Sequence, residues 1–554
     1  MNSVEKYHEQ IESGEVVVGQ KVKQVYKKLI SDMKDETSEW EYDEKKANHA
    51  VDFIEKFCRH SKGEYAGKPF ILEPWQRAAT SALFGFVHKI DGIRKFKEFI
   101  LIVARKNGKS AWGSAVALYM LMADGEPGPE VVSAATKRDQ SKIIWQESKR
   151  MVKKSPVLRK RVRPLVAELI TDFNDGTFKP LSSDSNTLDG LNLHCSLIDE
   201  LHAIKDRNLY DVLVDGMSAR REPLSIITST AGTHREGIFD LKYEEATNII
   251  NGYDDPKGYH DERVLPIIYE LDSRKEWTNP KCWDKANPGL GTIKDREELA
   301  RKVKKAQANP LLVTNLLTKD FNIRETSSEA WLTFEQLDNK AEYDLKTLKP
   351  RYGIGGADLA STTDLTCATV IFMIKNDDTI YVKQMYWLPE DLLERRSKED
   401  KIPYEIWRDQ GLLRTTPGNK VSYKYVTEWF VEIQRTHDIY IPWVGYDSWS
   451  ANYWVDEMKG FFGQESMIPV IQGKKTLSAP MKTLGADLEA KRINYDNNPI
   501  LKWCLSNTAV DIDKNQNIQP AKQRNQRLRI DGLASLLNAY VVLSKNEEDY
   551  MNII

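Results

Sequence analysis

The stretch from Phe99 to Leu121 constrains this chain more than any other. It opens with the apolar run Phe99-Ile-Leu-Ile-Val-Ala104, passes through Arg105-Lys-Asn-Gly-Lys-Ser110, and enters a small-residue segment from Ala111 to Leu121. Strand, loop, helix is the order that gathers backbone N–H groups and a helix N-terminus around an anion. In this reading Lys106, Asn107 and Gly108 form a phosphate cradle, Lys109 meets the β/γ charge of a nucleoside triphosphate, and Ser110 holds magnesium. The loop departs from GxxxxGK[ST], because Val103 stands where the first glycine belongs. Gly108-Lys-Ser110 alone is open to being a chance match.

Downstream, Cys195-Ser-Leu-Ile-Asp199-Glu200 is an apolar strand ending in paired carboxylates. That arrangement puts one acid, Asp199, on magnesium and the other, Glu200, beside an attacking water. Taken alone, the pair is also what a solvated strand end looks like. Upstream, Gln76 in Glu73-Pro-Trp-Gln76 offers a donor and an acceptor to an adenine edge, or else simply follows a helix start at Pro74. Arg105 is a candidate arginine finger for transition-state charge, with a surface salt bridge as its plain alternative. Thr228, in Thr228-Ser-Thr230, is a candidate sensor of the γ-phosphate or merely a strand end.

A chain of 554 residues exceeds what one core serves, about 250 to 300 residues, so two or three domains are expected. Its 41% hydrophobic and 29% charged residues suit folded globular domains. Lys plus Arg number 80 against 82 Asp plus Glu, so a nucleic-acid signal has to be local. Cys58, Cys195, Cys282, Cys367 and Cys504 form no CxxC pair, which argues against a disulfide framework or zinc site and for a reducing compartment. The start Met1-Asn-Ser-Val-Glu-Lys6 lacks an apolar h-region, and no segment approaches the roughly 18 apolar residues of a membrane span. The expectation is a soluble cytoplasmic protein.

Residues 1–60 carry apolar positions at helical spacing (Val51, Ile54, Phe57) and are expected as a helical appendage. Short apolar runs at 131–135, 195–198 and 225–229 alternate with helical stretches, so 61–325 is expected as an α/β domain with a mainly parallel sheet. A linker is expected at 326–335. In 336–554, Tyr352-Gly-Ile-Gly-Gly-Ala-Asp358 and runs at 366–374 and 379–387 predict an antiparallel meander. A helix at 425–434, a strand at 441–446 and a helix at 531–543 complete a mixed sheet with helices.

Asp358 and Asp447 end strands and Asp531 begins a helix, so these three carboxylates are candidates to hold two divalent ions for phosphodiester hydrolysis. Each is also open to being a turn or cap residue, Asp531 before Gly532 above all. Asp364 and Asp496 are weaker, auxiliary candidates. Lys522, Arg524, Arg527 and Arg529, which lead into Asp531, are expected on the DNA backbone.

Together these parts resemble the large terminase subunit of tailed bacteriophages over nearly the whole chain. The likeness rests on Leu72-Glu-Pro-Trp-Gln76, Ala104-Arg-Lys-Asn-Gly-Lys-Ser110, Leu197-Ile-Asp-Glu200, Thr228-Ser-Thr-Ala-Gly232, Gly356-Ala-Asp-Leu-Ala360, Gly445-Tyr-Asp447 and Arg529-Ile-Asp-Gly532. The resemblance implies a P-loop ATPase domain of the ASCE type followed by an RNase H-like nuclease. It implies ATP and Mg2+ as cofactors, with Mn2+ an alternative in the nuclease site. It makes Glu200 the catalytic glutamate and Asp358, Asp447 and Asp531 the metal triad, with Asp511 and Asp513 as rivals for the third acid. It also makes Val103 and Arg105 family habits, and implies double-stranded DNA, a portal protein, a small terminase subunit and a homo-oligomeric ring as partners. The basic cluster from Lys149 to Arg163 would serve that ring, grip DNA, or form a solvated helix face. Two other readings stay open: an assembly ATPase without nuclease activity, and a repair helicase-nuclease.

Overall fold

The computed structural model describes all residues except 136–137, 183–189, 205–207, 233–236, 256, 310–311, 326–329, 361–364, 401, 448–451 and 524–527. It forms two compact units, Met1–Glu325 and Thr326–Ile554. Among the described residues, no helix is long and apolar enough to cross a membrane.

In the first unit, β1 (Trp40–Tyr42) and β2 (Phe86–His88) form a small antiparallel pair. The remaining strands are β3 (Glu98–Ile102), β4 (Glu130–Ala135), β5 (Arg163–Pro164), β6 (Leu169–Thr171), β7 (Gly176–Ser182), β8 (Cys195–Asp199), β9 (Leu224–Ser229) and β10 (Val264–Ile268). They make one eight-stranded sheet in the order β10-β3-β9-β8-β4-β7-β6-β5. The strands from β10 to β7 are parallel, and only the edge hairpin β5–β6 turns antiparallel. The inner strands are apolar on both sides because helices cover both faces, which is why their sequences read as continuous runs. β9 is inserted between β3 and β8, the ASCE arrangement.

Residues 1–60, expected as an appendage, share the core of this unit. Val4, Tyr7, Val25, Tyr26 and Ile54 belong to the same buried cluster as the strands. The Tyr7 and Tyr269 hydroxyls meet at 3.1 Å just beyond β10.

The second unit begins with 330–335 already attached to it: the Trp331 N–H donates to the Thr508 carbonyl at 2.7 Å. Strands β11 (Tyr352–Asp358), β12 (Thr366–Ile374) and β13 (Asp377–Pro389) form the expected antiparallel meander. β14 (Leu413–Thr416) lies parallel to β13, β15 (Tyr440–Asp447) lies parallel to β11, and β16 (Met467–Val470) continues beyond β15. The short β17 (Ile493–Asn494) also pairs with β13, and β18 (Thr508–Ile512) and β19 (Ile518–Lys522) form a separate hairpin. This mixed sheet with one long helix over it, Asp531–Lys545, is the RNase H-like architecture.

That helix lies unusually close to the sheet because Gly356 and Gly445, paired across β11 and β15, leave it room. A Cβ at Gly356 would stand 2.3 Å from the Ser535 carbonyl oxygen, and one at Gly445 would stand 2.4 Å from that of Asn538. The gap is closed by hydrogen bonds: Ser535 Oγ donates to the Gly356 carbonyl at 3.1 Å and Asn538 Nδ2 to the Ala357 carbonyl at 2.8 Å. Gly445→Ala should therefore lower the urea midpoint, with a loss of about 1–3 kcal/mol or more, because the obstructing atoms are backbone. Gly460→Ala, at an exposed helical glycine with nothing within 4 Å, should leave it unchanged or raise it. Equal midpoints for the two variants would refute the close-packing account.

Candidate functional site

Gly108, at φ +83°, ends the loop after β3 and opens the helix Lys109–Met122. Ahead of it, Lys106 holds φ +68°, so the left-handed residues of the loop are Lys106 and Gly108. Val103 has no need to be glycine: it is fully buried, and its N–H donates to the Ser229 carbonyl at 3.1 Å, prolonging the sheet.

Lys109 Nζ donates to Asp199 Oδ1 at 2.6 Å and to Glu200 Oε1 at 2.5 Å. Ser110 Oγ donates to Asp199 Oδ2 at 2.9 Å, and Thr228 Oγ1 to Asp199 Oδ1 at 2.7 Å. Side chains from the start of one helix and the end of β9 thus converge on the carboxylate that ends β8. Burial alone would depress the Lys109 ammonium, yet the Asp199 and Glu200 charges and hydrogen bonds hold it above the ordinary lysine range. Burial alone would raise Asp199, yet the Lys109 charge and three side-chain donors hold it below the ordinary carboxylate range. Both groups are therefore ionised at neutral pH. The paired oxygens of Ser110 and Asp199 have the hard-donor chemistry that magnesium takes. Glu200 has φ +55°, so the chain turns sharply as β8 ends.

Gln76 follows a helix start at Pro74, as one of its two sequence readings has it. It belongs to the first turn of the helix Pro74–Gly85, where its Oε1 accepts from the Glu73 N–H at 3.1 Å. Its Nε2 is buried without a hydrogen bond among the described residues and would lie 3.1 Å from a Cβ at Gly108. A buried amide donor beside the phosphate loop suits a base acceptor, while its oxygen is already bonded to backbone. Arg105 is half-buried, its N–H donates to the Lys319 carbonyl at 2.9 Å, and no carboxylate pairs with it among the described residues.

Two side chains of the expected site are engaged within the protein. Thr228 directs its hydroxyl to Asp199. Asn107 has a wholly buried side chain: Nδ2 donates to the Ala104 carbonyl at 2.9 Å and to Asn287 Oδ1 at 3.0 Å, while Oδ1 accepts from the Gly289 N–H at 3.0 Å. It shapes the loop and leaves only backbone to face a ligand. Its partner Asn287, held in turn by Lys294 at 2.7 Å, is 180 residues away and carried no motif to mark it.

In the second unit, β11 and β15 run parallel with Ala357 opposite Tyr446, so the next residues, Asp358 and Asp447, end adjacent strands side by side. Strands lie about 5 Å apart, and two unit charges at that distance repel by about 3 kcal/mol at an effective dielectric of ~20. Such a pair favours a cation between its members. Asp531 is buried at the N-terminus of the helix that crosses these strands. Burial first, then the Asp531 charge and, less strongly, the Asp358 charge push the Cys504 thiol up. Among the described residues, however, no three His, Cys, Asp or Glu side chains stand close enough to enclose a metal ion.

The rivals for the third acid are engaged elsewhere. Asp511 pairs with Lys474 at 2.8 Å, and Asp513 accepts from Asn515 and Asn517 in its own turn. Asp496 accepts from the Tyr343 N–H at 3.2 Å and lies 3.7 Å from Lys383. Asp364, Arg524 and Arg527 lie outside the described residues. Arg529, expected on DNA, is instead buried, with Nη2 3.0 Å from Asp400 Oδ2; a desolvated guanidinium is retained only where a carboxylate compensates it. It anchors the approach to Asp531.

Comparison with known proteins adds an independent line. The family model for the terminase large subunit, ATPase domain, matches residues 74–248, and that for the terminase large subunit, endonuclease domain, matches 260–547. The second match begins inside the first compact unit, where β10 pairs with β3, so its start is not a structural boundary. The large terminase subunit of Enterobacteria phage HK97 is 26% identical over 498 residues, 89% of this chain and 94% of that protein. Protein YmfN of Escherichia coli (strain K12) is 28% identical over 369 residues, 63% of this chain and 77% of that protein. The crystal structure of the HK97 large terminase aligns over 90% of this chain and 99% of its own at 24% identity, with a TM-score of 0.48. With the endonuclease model alone spanning more than half of the chain and the ATPase model preceding it, this chain belongs to the large terminase subunit family of phage DNA packaging, an ATPase and an endonuclease in one polypeptide.

Proposed function

We propose that this chain is the motor that drives double-stranded viral DNA into a procapsid at the expense of ATP, and that its second unit cuts concatemeric DNA by a two-metal mechanism. The observation that carries the first half is the meeting of Lys109, Ser110, Asp199 and Glu200 around one point. Lys109 is an ionised ammonium that triphosphate oxygens can draw away from the two acids, which releases Glu200 to accept a proton from water. Gln76 donates to the base and Arg105, without a carboxylate partner among the described residues, meets charge developing on the γ-phosphoryl group. Ser110 and Asp199 are the residues that would hold magnesium, which when bound neutralises phosphate charge.

For the nuclease, Asp358 and Asp447 would hold divalent ions, Mg2+ or Mn2+, with Asp531 completing the set from the helix above. Bound there, the ions supply an activated water and a stabilised leaving oxygen. The parallel register of β11 and β15 supports this assignment. The work fits the cytoplasm of the host, with a portal protein and a small terminase subunit as partners and several copies ringed at the portal. The domain limits we assign are ATPase through residue 325 and nuclease from residue 330, where the chain is already bonded into the second unit.

Glu200→Gln should bind ATP with little change and lose about 10²–10⁴-fold in turnover, the usual contribution of a general base. Lys109→Ala should lose nucleotide binding as well; steady-state ATPase and titration calorimetry separate the two, and normal turnover in Glu200→Gln would eliminate it as the base. Arg105→Ala should lower kcat more than affinity, whereas a pure affinity loss would reduce it to a ground-state contact. Incubated with plasmid and Mg2+ or Mn2+, the wild type should nick DNA and Asp358→Ala should not. Equal nicking by both would dismiss the metal assignment.

A further inference from the structure

The two oxygens of Glu200 keep different company. Oε1 receives the Lys109 ammonium, while Oε2 is buried and lies 3.2 Å from Nδ1 of His202, within ion-pair range but not aligned as a full hydrogen bond. His202 is itself tied to the end of β9. Its backbone N–H donates to Ser229 Oγ at 3.1 Å, and its Nδ1 stands 3.1 Å from the same oxygen and 3.4 Å from Thr230 Oγ1. The Ser229 hydroxyl donates to the Thr230 carbonyl at 2.9 Å, which leaves its oxygen to accept from the ring. That seat suits the tautomer with a hydrogen on Nδ1. Gly232, at φ +58°, closes the other side: a Cβ there would stand 2.7 Å from His202 Cβ. The imidazole has a fixed seat, and its Nδ1 stands 3.2 Å from the glutamate oxygen that Lys109 does not use.

We propose that His202 is a positioning residue for ATP hydrolysis, which holds Oε2 of Glu200 so that Oε1 is presented to the attacking water. This rests on the reading of Glu200 as the general base. Once triphosphate draws the Lys109 ammonium away, Oε1 has lost its partner, and a glutamate on a left-handed turn keeps its orientation only through its other oxygen. Among the described residues His202 is the group within ion-pair range of that oxygen, and through Ser229 and Thr230 it also links the base to β9, the strand between the phosphate loop and Glu200. A base misplaced by about 1 Å can lose ~10²-fold in rate without loss of binding.

The test uses the full chain, with steady-state ATPase and calorimetric binding of ATPγS. His202→Ala should lower kcat by about 10- to 100-fold while KM and ATPγS affinity stay within about threefold. His202→Asn, whose Nδ2–H takes the place of Nδ1–H, should recover most of the rate, and His202→Gln, whose amide sits farther out, should not. The double variant His202→Ala/Glu200→Gln should turn over no more slowly than Glu200→Gln alone, because the histidine acts through the glutamate. Unchanged kcat in His202→Ala, equal rates for the Asn and Gln variants, or a further loss in the double variant would overturn the proposal. If the alanine variant does not fold, the Asn and Gln comparison decides it. Normal turnover in Glu200→Gln would instead overturn the reading of Glu200 itself, and the same series tells the two failures apart.

Discussion

Both sites depend on the hydrogen-bonded register of adjacent parallel strands. A parallel ladder lines up strand ends from distant parts of the chain along one edge, and that edge is where helices begin and ligands bind. In the first unit the register sets Asp199 opposite Thr228 and Ile102 opposite Ser229, so the phosphate loop, the paired acids and Thr228 leave the sheet together. In the second, the register of β11 and β15 sets Asp358 beside Asp447. A slip of one residue would send each acid to the other face of its sheet.

Charge compensation then decides what those edges can do. A lysine as buried as Lys109 stays ionised because two carboxylates lie against it, and Asp199 stays ionised because the lysine and the Ser110 and Thr228 hydroxyls face it. The cluster is consequently a store of poised charge that a more highly charged ligand can rearrange. Arg529 and Asp400 follow the opposite logic. Their buried pairing satisfies both groups and leaves neither for DNA, so the ion pair is structural support for the approach to Asp531.

Support for the phosphate loop comes from outside the motif. Asn107 is bonded to Asn287 and Gly289, and the Arg105 N–H to the Lys319 carbonyl, so residues around 287 and 319 grip the loop from behind. Lys294 and Lys302 converge on Asp320 and tie that segment together. The helix over the nuclease sheet is held in the same spirit, by two glycines that remove side-chain bulk and by Ser535 and Asn538, which bond to the exposed strand carbonyls.

Local patterns were enough to place the inner strands, the loop-to-helix junction at Gly108, the meander of the second unit and the helix that begins at Asp531. Each is encoded by consecutive residues: an apolar run buried on both faces, a glycine at positive φ, a polar turn between strands. The family likeness and the α/β class followed from the same segments. Strands β7 and β10, the place of residues 1–60 in the core, and the bonding of Asn107, Asn287 and His202 were not legible, because each depends on partners far away in sequence. Arg529 shows the difference most clearly. In the sequence it is one of several cations before an acid, and only the folded chain, by burying it against Asp400, takes it out of reach of DNA. Composition and periodicity record what a residue does for its own element, whereas which side chains share a pocket is decided by strand order and register, which no single segment contains.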